Sequence, residues 1–226
     1  MVAVKIMKKY DFILFDLDGT LTASAKGVRI SLEHAMEALS LPCPDLSDYT
    51  LYVGPPLEDI FRDICSVPEE LIPQAMQLYR DYYDIHALSV TTVFDGIFPT
   101  LRALREAGCT LVVCTSKNEP VAVKVADDLG LTPYFDAICG SALDGSRKAK
   151  ADMIPYALQT VGCADKAKAV MIGDTYFDAR GAEIAGVDFL GVTYGYGTRE
   201  SMERYGAKGF ADSPEELWDL LCRGGS

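Results

Sequence analysis

The feature that most constrains the fold is a regular alternation of short apolar runs with amphipathic helical patterns. The segments between the runs, such as IFPTLRALREAG and EPVAVKVADDLG, repeat apolar residues at a helical period, and most end on glycine. Strands that are apolar throughout are typical of sheets buried on both faces. The alternation therefore predicts an α/β fold with a doubly wound parallel sheet. The predicted strands are DFILFD (11–16), TLVVCTS (110–116), FDAICG (135–140), AVMIGD (169–174) and VDFLGVTYG (187–195).

One long segment interrupts this alternation after the first apolar run. From about Thr22 to Val93 only helical patterns occur, separated by turns with proline and glycine. We therefore expect a small helical cap domain at 22–93, inserted after the first strand of a core formed by 1–21 and 94–226. Ligands of such sheets bind outside the carboxyl ends of the strands. A cap inserted there would lie over the binding site.

Composition narrows the class of protein further. With 226 residues and 49% hydrophobic residues, the chain can fill a sizeable core. The net charge is −12 and no basic stripe occurs, which disfavours nucleic acid and anionic membranes as partners. The seven cysteines are scattered and never spaced as Cys-x-x-Cys, and neither a signal peptide nor a long apolar run is evident. We expect a cytoplasmic protein, a monomer or a homodimer.

Two carboxylates follow the first predicted strand in the segment FDLDGTLT. The two-residue spacing of Asp16 and Asp18 sends both side chains to the same side of a strand, and Gly19 allows a sharp turn. An ordinary turn rich in aspartate and glycine is the alternative interpretation. The letters D-x-D-G-T arise by chance in about one chain of this length in several hundred. Their place after a buried run favours a functional site.

Two further carboxylates follow the fourth predicted strand. Asp174 ends that run and Asp178 lies one helical turn later, although a helix cap would explain either alone. Four carboxylates at one sheet edge repel one another unless a cation is present. Mg²⁺ suits a site with few carboxylates and room for water and phosphate. Mg²⁺ and one lysine would balance Asp16, Asp174 and Asp178, leaving Asp18 free to transfer a proton.

Residues that can bind an anion occur at three further positions. Thr115 and Ser116 end the second predicted strand and can donate hydrogen bonds to an anion, although they are also common turn residues. Lys148 and Lys150 precede a predicted helix, and we expect one of them to enter the site while the other is solvated. Arg80 in the insert either lies on a solvated helix face or reaches an anionic substrate.

These residues, taken in order, resemble the four motifs of the haloacid dehalogenase superfamily over essentially the whole chain. The helical insert is similar to the cap of its phosphoglycolate phosphatase branch. Three loops further resemble a subgroup labelled phosphoglycolate phosphatase or 5′-nucleotidase. The motifs are Asp16-Leu17-Asp18-Gly19-Thr20, Thr115-Ser116, the Lys148/Lys150 segment, and Gly173-Asp174 with Asp178. The loops are 53–57, 143–147 and 191–197.

The resemblance implies a role for each matched residue. Asp16 would be the nucleophile that forms an aspartyl-phosphate, and Asp18 would be the general acid and base. Mg²⁺ would be held in the cluster of Asp16, Asp174 and Asp178, together with Asp18 through its backbone carbonyl. Asp178 would also steady the lysine. The remaining matched residues would bind the phosphoryl group: Gly19, Thr20, Thr115, Ser116 and the lysine. Relatives often carry Lys-Pro-x-Pro, which this chain lacks, so the lysine could be Lys148 or Lys150; the Arg-x-x-Lys spacing from Arg147 favours Lys150.

Four interpretations compete on this basis. The leading expectation is a Mg²⁺-dependent phosphatase for a small phosphorylated metabolite resembling phosphoglycolate or a nucleoside monophosphate. A sugar-phosphate mutase of the same superfamily is the alternative, although Thr20 fits the phosphatase pattern better. A non-catalytic, receiver-like phosphate-binding module would leave the cap unexplained. A dehalogenase would need neither Asp18 nor a metal.

Overall fold

A six-stranded sheet forms the centre of the molecule. The computed structural model describes residues 8–222, so the outermost residues of both predicted core segments (1–7 and 223–226) lie outside the described range. The strands of the central sheet run in the order β5-β4-β1-β6-β7-β8 and are all parallel. In chain order the strands are β1 (Phe12–Phe15), β2 (Thr22–Ala23), β3 (Thr92–Val93), β4 (Thr110–Asn118), β5 (Ala137–Ser141), β6 (Ala169–Gly173), β7 (Asp188–Val192) and β8 (Phe210–Ala211).

Helices connect these strands and cover the sheet. The α-helices are α1 (Ala25–Ala38), α2 (Leu57–Asp59), α3 (Ile72–Tyr82), α4 (Ile97–Glu106), α5 (Glu119–Asp128), α6 (Lys150–Thr160), α7 (Tyr176–Ala185), α8 (Arg199–Glu203) and α9 (Pro214–Cys222). Two π-helical turns continue α2 and α3, at Ile60–Ile64 and Tyr83–Ala87. Short 3₁₀ turns occupy Tyr49–Leu51, Glu69–Leu71, Leu88–Val90, Thr132–Tyr134 and Lys166–Lys168.

The residues of each strand alternate between two hydrophobic layers. In β1, Ile13 and Phe15 join the layer that contains the buried residues of α4, α5 and α9, whereas Leu14 joins the layer of α6 and α7. This is the period-2 alternation of a strand, with both faces apolar because helices cover both. The predicted α/β fold with a doubly wound parallel sheet is confirmed.

The order of the strands locates the candidate site. From β1 the chain moves to β4 and β5 on one side and then returns to β6 on the other. The connections therefore diverge at the carboxyl end of β1, which is the switch point at which such sheets bind ligands. The ends of β1, β4 and β6 meet there.

The insert contains a feature that the helical patterns did not predict. Thr22–Ala23 pairs with Thr92–Val93 as a two-stranded antiparallel ribbon, whereas only helices were expected from Thr22 to Val93. Each strand has two residues, too short for the alternation that identifies a strand in a sequence. The ribbon joins the two ends of the insert. The division into a core and a cap at 22–93 stays a prediction.

Several contacts seat the insert on the core. Tyr196 Oη accepts a hydrogen bond from the backbone N–H of Ala25 at 3.0 Å. Lys124 Nζ donates to the backbone carbonyl of Asp84 at 2.9 Å. A Cβ atom on Gly54 would lie 3.2 Å from Thr175 Cγ2, so the backbone approaches the core closely there. Among residues 8–222, no helix is long and apolar enough to cross a membrane.

Candidate active site

The end of β1 places two carboxylates at the switch point. Asp16 extends the pairing of β1 with β6, because its N–H donates to the carbonyl of Ile172 at 2.9 Å. Asp16 is 4% exposed. Asp18 lies two residues further on, and both side chains line the same cavity. The two-residue spacing thus brings both carboxylates to one side, as the strand geometry predicts.

A buried lysine connects two carboxylates below this cavity. Lys150 Nζ lies 2.7 Å from Asp16 Oδ1 and 2.6 Å from Asp178 Oδ1. It also donates to the backbone carbonyl of Cys114 at 2.8 Å. Lys150 begins α6, and its Cβ packs against Gly181 of α7, where a side chain would overlap it. Of the two lysines considered from the sequence, the structure brings Lys150 into contact with the aspartates.

Asp174 at the end of β6 is held by neutral donors. Its Oδ1 accepts a hydrogen bond from Thr20 Oγ1 at 3.1 Å, and its Oδ2 accepts one from the Tyr196 N–H at 2.8 Å. Gly19 has φ +89°, and a Cβ there would lie 2.2 Å from Asp174 Oδ2. Gly19 and Thr20 therefore support Asp174. They do not line the described cavity, and their contact with substrate stays a prediction.

Asp178 joins the cluster from the first turn of α7. Its Oδ2 accepts hydrogen bonds from the N–H and Oγ1 of Thr175, at 3.1 and 2.9 Å. The backbone bond is half of a capping box, which explains an aspartate at this position structurally. The other oxygen, Oδ1, is the one that contacts Lys150. Asp178 thus caps the start of α7 with one oxygen and holds Lys150 with the other.

Burial shifts the pKa values of the ionisable groups in this cluster. The pKa of Asp16 is raised to about 7, mainly by desolvation; the charge of Lys150 opposes this rise, and the charge of Asp178 contributes to it. Burial, followed by the charges of Asp178 and Asp16, holds the pKa of Asp174 well above its usual range. Burial alone would lower the pKa of Lys150, but Asp16 and Asp178 outweigh it and raise that pKa. The site therefore favours the charged form of the lysine and disfavours the charged forms of Asp16 and Asp174.

The cluster fits a divalent cation. Oxygens of Asp16, Asp174 and Asp178 lie within 4.8 Å of one another, and all three residues are buried. Asp174 forms no ion pair with any residue in 8–222, so three carboxylates share one ammonium. With all three carboxyl groups ionised, the cluster would carry a net charge of −2. All the available ligands are oxygens, which Mg²⁺ prefers. We call these three aspartates together with Lys150 the acidic floor.

The end of β4 contributes a lysine that sequence reasoning missed. Thr115 and Ser116 line the cavity, and so does Lys117. Lys117 Nζ lies 3.0 Å from Asp18 Oδ2, and Asp18 raises the pKa of Lys117 well above its usual range although burial opposes this. The signal was available: Thr115 and Lys117 have the same two-residue spacing as Asp16 and Asp18.

Arg147 and Lys148, in the same segment as Lys150, form ion pairs outside the acidic floor. Lys148 lies 2.9 Å from Glu58 of α2, with 60% of its side chain exposed, at the rim between cap and core. Arg147 pairs with Glu119 at 3.1 Å and stacks over the Tyr156 ring, 3.8 Å from its centroid. Lys148 also lines the cavity, so its contact with substrate stays a prediction.

Residues of the insert form the opposite wall of a cavity of about 530 Å³. We call Tyr79, Arg80 and Tyr83, which lie on α3 and its π-helical turn, the cap wall. The two tyrosine rings stack with centroids 5.6 Å apart. The side chain of Arg80 forms no hydrogen bond or ion pair with the described part of the chain, and it lines the cavity. A cavity of this size with few convergent polar groups is typical of a small-molecule site.

Comparison with known proteins places this site in a family. The family model of haloacid dehalogenase-like hydrolases matches residues 13–192. The chain is 37% identical to a 5′-nucleotidase of Pseudomonas aeruginosa, covering 87% of this chain and 89% of that protein. It is 34% identical to a phosphoglycolate phosphatase of Caulobacter vibrioides, covering 92% and 91%.

Other relatives differ in length or are known as structures. The chain is 36% identical to the tyrosine-protein kinase PtkA of Mycobacterium tuberculosis, over 85% of this chain, but it spans 65% of the length of that relative. A predicted phosphatase of Clostridium acetobutylicum has a crystal structure that superposes with a TM-score of 0.87 at 37% identity, covering 93% of this chain and 97% of that one. By the family model and by relatives of matching length, this chain belongs to the haloacid dehalogenase-like hydrolases.

Proposed function

We propose that this chain is a Mg²⁺-dependent phosphatase that hydrolyses a small phosphomonoester through an aspartyl-phosphate. The observation that carries the proposal is the contact of Asp16 with Lys150 at 2.7 Å in a buried floor that opens on a 530 Å³ cavity. A carboxylate held by an ammonium, with a second carboxyl group two residues away, can divide nucleophilic and acid–base roles between them.

In the first step, Asp16 attacks phosphorus while the bond from phosphorus to the leaving oxygen breaks. Asp18 gives its proton to that oxygen, so that the leaving group departs as an alcohol. In the second step, water attacks phosphorus and passes a proton to Asp18. The bond between Asp16 and phosphorus breaks, which releases phosphate and restores both carboxyl groups. Asp18 thus acts as acid and then as base.

The other floor residues stabilise charge on the phosphoryl group. Lys150 has its three N–H donors engaged by Asp16, Asp178 and the Cys114 carbonyl. Its positive charge beside Asp16 would stabilise negative charge on a phosphoryl group bound there. Thr115 and Ser116 line the cavity and offer hydroxyl and backbone donors. Asp16 and Asp174 would hold Mg²⁺ with the Asp18 carbonyl, whereas Asp178 has both oxygens engaged by Thr175 and Lys150. When bound, Mg²⁺ would neutralise charge on the floor and on the phosphoryl oxygens.

The substrate we propose is a small phosphorylated metabolite. The net charge of −12 disfavours nucleic acid and membrane surfaces. Two relatives are named for phosphoglycolate and for 5′-nucleotides, and both are small phosphomonoesters. Arg80 supplies a cation that has no ionic or hydrogen-bonding partner among residues 8–222, at the cap wall, where it can bind an anionic or polar leaving group.

The test is release of inorganic phosphate from 2-phosphoglycolate, AMP and p-nitrophenyl phosphate. We expect steady release with Mg²⁺, loss of activity with EDTA, and recovery when Mg²⁺ is restored in excess. Quantitative transfer to a second hydroxyl of a sugar phosphate, with little free phosphate, would instead identify a mutase. Transfer from ATP to a tyrosine, as the name of the PtkA relatives suggests for those proteins, would also contradict the proposal.

A further inference from the structure

Lys117 lines the cavity, and the proposed mechanism has not used it. Its ammonium lies 3.0 Å from Asp18 Oδ2, and the side chains are 10% and 15% exposed. Within residues 8–222 this is the one hydrogen bond or ion pair that the Asp18 side chain makes, and Asp18 Oδ1 is buried without a partner. The side chain proposed to move the proton is thus oriented by a single contact.

The same ammonium also contacts the cap. Lys117 Nζ lies 4.3 Å from the centroid of the Tyr83 ring, which is a favourable cation–π distance. Tyr83 is 1% exposed, and its ring stacks on Tyr79. An ammonium with two neighbours, one on the core and one on the cap, has its position determined by both.

The backbone around Lys117 is fixed on the core side. β4 runs on to Asn118, and its pairing with β5 shifts register between Cys114 and Asn118. The Lys117 N–H donates to Thr115 Oγ1 at 3.2 Å. A Cβ on Gly140 would lie 2.5 Å from the Lys117 carbonyl, so the strand is packed closely there. The freedom that remains to Lys117 is in its side chain, which the Tyr83 ring limits.

We propose that Lys117 is a positioning residue that couples the seating of the cap to the position of Asp18. With Tyr83 over it, the ammonium is held beside Asp18 and orients this carboxyl group toward the leaving oxygen. When the cap moves away, the ammonium loses its aromatic neighbour and Asp18 loses its fixed orientation. The inference rests on the proposed phosphatase function and assigns Lys117 and Tyr83 to the acid–base step.

A dependence on the leaving group distinguishes positioning from general structural support. An alkyl phosphate needs a proton on its leaving oxygen, whereas p-nitrophenol leaves readily without one. We would measure kcat/KM with Mg²⁺ for 2-hydroxyethyl phosphate and p-nitrophenyl phosphate in the wild type and in Lys117→Met. Methionine keeps the length of the side chain and removes its charge.

We expect Lys117→Met to lower kcat/KM for the alkyl ester about 100-fold, the scale of a misplaced catalytic group, and for the aryl ester less than about 10-fold. Tyr83→Leu should shift the ratio of the two rates in the same direction by roughly 10-fold, which is the scale of one cation–π contact. Tyr83→Phe retains the ring, so its ratio of the two rates should stay closer to that of the wild type than the ratio of Tyr83→Leu does.

Lys124→Met is the matched control. Lys124 also joins core to cap, through the Asp84 carbonyl, but it does not contact Asp18. We expect its ratio to equal that of the wild type. Equal losses on both esters in Lys117→Met, or a ratio shift of the same size in Lys124→Met, would overturn the inference while leaving the phosphatase proposal intact. Failure of the wild type to hydrolyse either ester would overturn the proposed function itself.

Discussion

The acidic floor, which reaches the cavity through Asp16, and the cap wall, which lines the cavity, differ in the kind of side chain they contain. The floor gathers three buried carboxylates around one lysine at the ends of parallel strands. The cap wall consists of stacked aromatic rings and an arginine, on a helix that ends in a π-helical turn. Within the part of the chain that the structure describes, this arginine has no hydrogen-bond or ion-pair partner. The acidic floor would act on the phosphoryl group, which all phosphomonoester substrates share. The cap wall would contact the leaving group, which differs between substrates. Chemistry and specificity are therefore expected to separate by mutation.

The largest effect should come from the nucleophile in the floor. Asp16→Asn keeps the shape of the side chain but replaces the carboxylate by an amide, which is a far poorer nucleophile. We expect kcat to fall by roughly 10⁴-fold or more on every ester, the scale seen when a catalytic nucleophile is removed. Steady-state phosphate release checks this. Retention of a tenth of the wild-type rate would contradict covalent catalysis by Asp16.

The two lysines of the 148–150 segment give the next comparison. Lys150→Ala should cost about 2–4 kcal/mol of transition-state stabilisation, because it removes the one preorganised positive charge of the floor. Lys148→Ala is the matched control at the exposed rim, where Lys148 pairs with Glu58, and its kcat/KM should stay near that of the wild type. The opposite ranking in kcat/KM would show that Lys148 serves the phosphoryl group.

The buried charge should also make the stability of the metal-free protein depend on pH. Burial raises the pKa of Asp16 to about 7, above the roughly 3.9 of an unfolded aspartate. Between about pH 4 and 7 the folded chain therefore binds a proton that the unfolded chain has released, so this carboxyl group makes stability fall as pH rises.

Between pH 5 and pH 8, the free energy of unfolding should fall by roughly 2 kcal/mol less in Asp16→Asn than in the wild type. Urea unfolding in EDTA measures this difference. Mg²⁺ should stabilise the wild type more at pH 8 than at pH 5, because the ion binds ionised carboxylates. If the unfolding free energy depended on pH identically in the wild type and in Asp16→Asn, the raised pKa of Asp16 would be contradicted.

The smallest effect is expected at the cap wall. Arg80→Gln should raise KM for 2-phosphoglycolate about 10-fold with a smaller change in kcat, because one charge-assisted hydrogen bond to the leaving group is lost. Arg102→Gln, on the exposed face of α4, is the matched control and should leave both constants unchanged. A fall in kcat with an unchanged KM would place Arg80 in the chemical step instead.

Strand periodicity explains why much of the site could be predicted from the sequence. The apolar runs identify the strands, and the side chains at their carboxyl ends necessarily meet at one edge of the sheet. Asp16 and Asp174 are brought together in this way, and Lys150 joins them from the start of α6. The role of Lys117 was missed because a single lysine at a strand end is usually solvated, and only the packing of Tyr83 against it makes the position special.

The structure of the insert could not be predicted in this way, because it depends on contacts between residues that are far apart in the sequence. The ribbon of β2 and β3 is too short to show a period. The π-helical turns at Ile60–Ile64 and Tyr83–Ala87 leave no pattern in the sequence that separates them from α-helix. Pairs such as Lys148 with Glu58 join residues 90 positions apart. The wall that is expected to select substrate is thus the part that sequence predicts least.

The central claim is that a phosphoryl group resides on Asp16 during turnover, and trapping it tests this most directly. Asp18→Asn, mixed with p-nitrophenyl phosphate and Mg²⁺ and quenched in acid, should release one equivalent of p-nitrophenol per chain in a burst. Peptide mass spectrometry should then find one phosphoryl group on Asp16, and none after the same treatment of a variant that also carries Asp16→Asn. Phosphate release without a burst, with Asp16 unmodified at every quench time, would contradict the account.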